Sequence, residues 1–182
     1  MARYFIALLP PAQVQAAVNV IKQHFCDRYA SRKAQNSPPH ITLQPPFEWS
    51  TQQIPALEQS LQTFAHSCKP VPIQLSGFAA FAPRVIYINV VKTPELLSLQ
   101  ADLTSYLKDK LTIIDSASKR RAYVPHLTVA FRDLTRQNFD LAWAEFQDQT
   151  FDFVFTVPVL TLLVHDGRRW HISTDFALQS GF

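Results

Sequence analysis

Two short stretches of this 182-residue chain repeat one order of residue types, "PPHITL" from Pro38 and "VPHLTV" from Val124. Each sets a histidine after a proline and a threonine two positions later, with an aliphatic residue between. On an extended strand alternate side chains share a face, so His40 stands with Thr42 and His126 with Thr128, while Ile41 and Leu127 turn toward a core. An imidazole exchanges its proton near neutrality. Two of them suit a displacement at phosphorus in which one takes a proton on the attacking side and the other delivers one to the departing oxygen. Threonine hydroxyls beside them can donate to the non-bridging phosphoryl oxygens and hold charge that builds there. A lone His-x-Thr is more often a strand histidine satisfied by backbone; two in matching places favour a shared site. The remaining histidines, His24, His66, His165 and His171, read as structural or exposed.

Strand alternation extends each polar face, bringing Gln44 beside the first pair and Arg132 beside the second as substrate-binding candidates. Basic residues precede both motifs, Arg32 and Lys33 before the first, and Lys119, Arg120 and Arg121 before the second, and Arg121 is a further substrate-binding candidate. Tyr4, Phe81 and Tyr87 are aromatic candidates for stacking on a base. The net charge of +3 and a pI near 9.0 permit an anionic ligand without requiring one.

Several chemistries drop out. Glycine occurs only at 77, 167 and 181, too sparsely for a phosphate-binding loop or a dinucleotide fingerprint. No HExxH, CxxC or aspartate-rich calcium loop is present, and the glycine pattern of a serine-hydrolase elbow is missing around Ser76. Neither a metal nor a cofactor is expected. Cys26 and Cys68 read as reduced thiols. With 47% hydrophobic and 17% charged residues, and with no secretory leader or membrane-length apolar run, the expectation is a folded cytoplasmic monomer.

The elements that must carry the motifs also repeat. "RYFIALL" is a strand, and Val14, Ala17, Val18, Ile21 and Phe25 then recur at helical spacing. "HITL" is a strand, and Ser50 or Thr51 caps a helix bearing Ile54, Leu57, Leu61, Phe64 and Cys68. "VPIQLSGF" closes the half. The second half runs in the same order: "RVIYINVV", a helix capped by Thr93 with Pro94 at its first position, "VPHLTVAF", then a helix opened by Thr135. Asp166 and Gly167 mark a tight hairpin turn near the end. The pattern is α+β, with residues 1–182 forming one two-lobed domain of pseudo-repeats at about 3–80 and 84–178. Two antiparallel sheets should face a central cleft, with helices on the outer faces.

With "HITL" and "HLTV" placed in such a chain, and "LSGFAAFAPRVIYINV" between them, the sequence resembles the two-histidine phosphoesterase superfamily. Within it, the likeness is to the 2′,5′-RNA-ligase-like branch, which includes RNA 2′,3′-cyclic phosphodiesterases. The resemblance implies a cleft lined by His40, Thr42, His126 and Thr128, and metal-independent opening of RNA 2′,3′-cyclic phosphate ends to 2′-phosphates, with 2′,5′ RNA ligation as a related activity. It also implies His126 as the base that activates water and His40 as the acid; the residues themselves leave the reverse open. The partner would be an RNA end or a nucleotide cyclic phosphate. A hydrolase of small nucleotide cyclic phosphates, and a nucleotide- or RNA-binding module without turnover, are the alternative readings. Gln44 stands where relatives carry an arginine, and Arg132 falls one position later than their pattern, so these two mark where substrate choice is written.

Overall fold

The structure, a computed structural model, describes residues 1–115 and 121–179. Its elements are β1 (Ala2–Leu8), α1 (Ala12–Tyr29), β2 (Ile41–Trp49), α2 (Ile54–His66), β3 (Val71–Phe81), β4 (Val85–Val90), α3 (Pro94–Leu111), β5 (His126–Ala130), α4 (Arg136–Phe146), β6 (Asp152–Val157), β7 (Val159–His165) and β8 (Trp170–Ala177). They form two four-stranded antiparallel sheets, β2-β1-β7-β8 and β5-β4-β3-β6, so the chain is α+β and two-lobed.

The sheets do not divide at the boundary between the pseudo-repeats. β3 belongs to the first repeat but pairs with β4 and β6, and the C-terminal hairpin β7–β8 takes the matching place beside β1. The cause is local: only a short turn separates β3 from β4, and a short antiparallel connection favours pairing of its own strands. The helices cross as well. α1, leaving the first sheet, packs against β5 and α4, and α3, leaving the second, packs against β2.

Caps and apolar stripes explain the helices. Thr93 Oγ1 accepts from the Leu96 amide at 3.3 Å ahead of α3, and Leu96, Leu99, Leu103 and Leu107 are buried along it. Thr135 caps α4 in the same way through the Asn138 amide, at 3.2 Å. α2 differs from expectation: a turn of 3₁₀ helix over Thr51–Gln53 precedes it, and neither Ser50 nor Thr51 caps it, because Pro55 already removes one of the first-turn donors. The buried stripe of α1 is Val14, Val18, Lys22, Phe25 and Tyr29, with a lysine in its middle. The hairpin is a four-residue loop in which Asp166 Oδ1 accepts from the amides of Arg168 and Arg169, both at 2.7 Å, and Gly167 takes φ 101°.

β2 and β5 are edge strands of their sheets, and they meet at the junction of the lobes. An edge tolerates Pro45 and Pro46 within β2 because the missing amides disturb fewer ladder bonds. Cores on the two sides of β1 differ. Tyr4, Ile6 and Leu8 join the large cluster under the helices, whereas Phe5 and Ala7 form a small cluster with Leu163, Leu9 and Trp170.

Candidate active site

His40 sits at the mouth of β2 and His126 is the first residue of β5, so one imidazole comes from each lobe. Both rings are held alike: Nδ1 lies 2.8 Å from the carbonyl oxygen two residues back, that of Pro38 for His40 and that of Val124 for His126. A carbonyl can only accept, so Nδ1 carries the hydrogen in each neutral ring and Nε2 is left as the proton-exchanging atom. The repeated proline acquires a purpose here. Pro39 and Pro125 restrict the residue before them to extended backbone, and those residues supply the two carbonyls. Alternation works as expected in the motif cores: Ile41 and Leu127 are wholly buried, while Thr42 and Thr128 line the cleft.

Aromatic rings wedge each imidazole. Phe5 lies 4.8 Å from His40, and Phe81 and Tyr87 lie 5.2 and 5.3 Å from His126. The cleft over the pair encloses about 390 Å³. Arg3, Lys33 and Arg132 line it together with His165 and Trp170, and no carboxylate does so among the described residues. Arg3 lies 3.1 Å from His165 Nδ1 and over the Trp170 ring at 5.7 Å; the Gly167 amide donates to the same Nδ1. With two donors on Nδ1, the hydrogen of that ring sits on Nε2.

Two polar ties fasten the lobes beside the histidines. Asp133, just past β5, accepts from Ser31 Oγ at 3.0 Å and from the amides of Arg32 and Lys33 at 2.8 and 3.1 Å. Tyr123, just before β5, donates from its hydroxyl to the Thr42 carbonyl at 2.8 Å. Burial pushes that phenol well above its ordinary pKa, so it remains a donor.

The two imidazoles are not equivalent. His40 is pushed down to about 4, chiefly by burial, with the charges of Lys22 and His126 adding to the depression and the bond to Pro38 opposing it. His126 is lowered by burial, against its bond to Val124. A positively lined cleft with two neutral imidazoles is built for an anion, and a bound anion raises the proton affinity of both rings.

Four sequence expectations need correction or relocation. Gln44 does not reach the cleft: a bulge in β2 between the partners of Ile6 and Ala7 resets the alternation, and Gln44 is 2% exposed with Oε1 accepting no hydrogen bond. Tyr87 is 6% exposed and supports the His126 ring instead of facing a substrate, because β4 is covered on both sides. Tyr4 is core. Arg121 lines an adjoining groove of about 620 Å³ beside Gln100, Thr104 and Lys108 of α3, a groove that shares Thr42, Phe81 and His126 with the cleft. Arg132 does line the cleft, though not by strand alternation; β5 ends at Ala130, and a left-handed φ of 60° at Arg132 turns the chain. Lys119 and Arg120 lie outside the described residues. Sequence reasoning missed Arg3, Phe5, Trp170 and Asp133. The first two share parity on β1, which would have grouped them had β1 been read as covered on both faces.

Among the described residues no cluster of three or more His, Cys, Asp or Glu side chains could hold a metal ion, and no helix is long and apolar enough to cross a membrane. Both cysteines are free.

A family model described as the 2′-5′ RNA ligase superfamily matches residues 10–169. A Bacillus cytotoxicus protein named "putative phosphoesterase" is 29% identical over 179 residues, covering 97% of this chain and 96% of its own. A Bacillus licheniformis protein of the same name is 34% identical over 131 residues, 70% of each chain. Among solved structures, TT0787 of Thermus thermophilus aligns over 97% of both chains with a TM-score of 0.69 at 18% identity. LigT of E. coli complexed with 3′-AMP aligns over 98% of this chain and 99% of its own, with a TM-score of 0.67 at 21% identity.

Proposed function

This chain belongs to the 2′-5′ RNA ligase superfamily, and from that premise we propose that it is a phosphoesterase that opens 2′,3′-cyclic phosphate ends of RNA to 2′-phosphates. The observation that carries the reading is the matched pair of imidazoles, each with Nδ1 tied to a carbonyl and Nε2 left to exchange a proton, in a cleft whose charged lining is cationic. Nucleotide complexes of E. coli LigT, with 3′-AMP and with ATP, support the substrate class.

The phosphate binds between the lobes, with Thr42 and Thr128 donating to its non-bridging oxygens and Arg3, Lys33 and Arg132 balancing its charge. Water attacks phosphorus from one side as an imidazole Nε2 removes its proton. The P–O3′ bond breaks on the other side, and the second Nε2 hands its proton to O3′. The product is a 2′-phosphomonoester with a free 3′-hydroxyl. The histidines end with their protonation states exchanged and reset through solvent. Phe81, 40% exposed and next to His126, offers a ring on which the terminal base stacks.

The test is incubation of the purified protein, in excess chelator, with an oligoribonucleotide ending in a 2′,3′-cyclic phosphate, the product isomer being identified by mass and phosphatase sensitivity. A 2′-phosphate is expected, and His40→Ala and His126→Ala should each lower turnover by about 10² or more. Tight nucleotide binding without turnover on any cyclic phosphate would replace this reading with that of a binding module.

A further inference from the structure

The groove beside the cleft runs between α3 and residues 121–124, the segment that leads into β5. At about 620 Å³ it is larger than the cleft, at about 390 Å³, and both fall within the roughly 300–1,000 Å³ of small-molecule sites. Thr42, Phe81 and His126 line both, so the two hollows form one continuous surface with Phe81 at the boundary. Contacts between the lobes hold the groove in shape: α3 packs against β2, and Tyr123 is tied to β2 through the Thr42 carbonyl.

Its chemistry differs from that of the cleft. Leu43, Pro45, Ala101, Ala122 and Val124 give it a mainly apolar wall. The donors of three polar side chains in that wall are committed inside the protein. Gln100 Nε2 donates to Thr104 Oγ1 at 3.0 Å and to the Leu43 carbonyl at 3.4 Å, Thr104 Oγ1 donates to the Gln100 carbonyl at 2.8 Å, and the Tyr123 hydroxyl is held by Thr42. A wall of this kind receives the face of a planar ring and does not read its edge. Lys108 and Arg121, both exposed, bring two positive charges to the groove, against the carboxylate of Asp115.

We propose that this groove binds the nucleoside that precedes the terminal one in an RNA strand, so that the protein selects chain ends over mononucleotide cyclic phosphates. The inference rests on the phosphoesterase reading and narrows its substrate to strands of two or more nucleotides. With the phosphate between the histidines and the terminal base on Phe81, the cleft is filled, and the hollow that continues past Phe81 is this one. The preceding base packs on the apolar wall, while Lys108 and Arg121 balance the phosphodiester that joins the two nucleosides. Because stacking is open to every base, the site senses the presence of a second nucleotide and not its identity.

The test is calorimetric titration with a 3′-phosphorylated mononucleotide and a 3′-phosphorylated dinucleotide, which carry the terminal phosphate without a cyclic bond to open. The dinucleotide should bind about tenfold more tightly, whichever base comes first. Ser105→Trp and Ala101→Trp each set an indole into the groove from exposed positions one turn apart on α3, and neither residue lines the cleft. Both variants should abolish the advantage of the dinucleotide and keep the affinity for the mononucleotide, which also reports an intact fold. Lys108→Ala should flatten the salt dependence of dinucleotide binding by about 0.7 in log–log slope and leave that of the mononucleotide unchanged. Equal affinity for the two ligands overturns the proposal. So does an advantage that survives both tryptophans and is lost instead when Arg168 and Arg169, the exposed cations of the β7–β8 turn, are changed to alanine. Because binding needs no turnover, failure to open cyclic phosphates would refute the functional reading alone.

Discussion

Replacing Lys22 with methionine should make the protein more stable at neutral pH, and the amount follows from the lysine's surroundings. Its pKa falls from 10.5 to about 8 on folding, mainly through desolvation. At about 1.4 kcal/mol per unit, this corresponds to about 3 kcal/mol by which the charged form disfavours the native state. Methionine removes that cost and also the bond from Nζ to the Ser37 carbonyl, worth about 1 kcal/mol, so the net gain at pH 7 is about 2 kcal/mol. The sign with pH follows from proton counting. Between about 8 and 10.5 the unfolded chain holds the Lys22 proton and the folded chain does not, so the wild-type protein gains stability as pH rises through that window. The variant has no such gain. Urea unfolding of both proteins at pH 7, 8, 9 and 10 should therefore show the variant ahead at pH 7 and its advantage shrinking steadily toward pH 10. Taking the difference cancels the tyrosines, which titrate in both. A difference constant over that range, or a variant less stable at pH 7, would show that Lys22 carries no buried charge and would remove the physical basis of its effect on His40.

Asp133→Ala should leave the amides of Arg32 and Lys33 without their carboxylate, loosening the basic loop that lines the cleft; KM should rise several-fold with kcat less affected, measured by steady-state kinetics on the cyclic phosphate. Gln44→Leu should leave kcat and KM unchanged and cost less than about 1 kcal/mol in urea unfolding, since the amide is buried away from the cleft with Oε1 unsatisfied, while Arg132→Ala should raise KM about tenfold.

The paired motif was legible because its period is the strand's own. Two residues of each motif face the cleft and one faces the core, and a repeat of that alternation in two places is hard to produce by packing alone. Thr93 and Thr135 were legible for a similar reason: a cap acts over three residues and needs no knowledge of the fold. Gln44 failed because alternation was carried across a bulge, which depends on how β1 and β2 pair and leaves no trace in β2 alone. Arg132 reached the cleft by a backbone turn that no alternation rule contains. Asp133 and Tyr123 were invisible because each acts on backbone groups about 80 to 100 residues away. Lys22 did leave a signal, a lysine at the centre of an apolar stripe, which helical periodicity picks out once it is asked which residues interrupt the pattern.

The exchange of β3 for the β7–β8 hairpin sets the order in which this protein can be completed as it is synthesised. Every strand of the His126 sheet lies between residues 71 and 157, so that lobe can finish its pairings while the C-terminus is still unmade. The His40 sheet cannot: β1 and β2 wait for β7 and β8, the last strands to emerge, and the β1–β7 pairing bridges the longest gap in the chain. A nascent chain cut before residue 159 would contain both histidines and only one finished sheet. The cleft is therefore the last feature to form, assembled by the same hairpin that brings Trp170 and His165 to its wall.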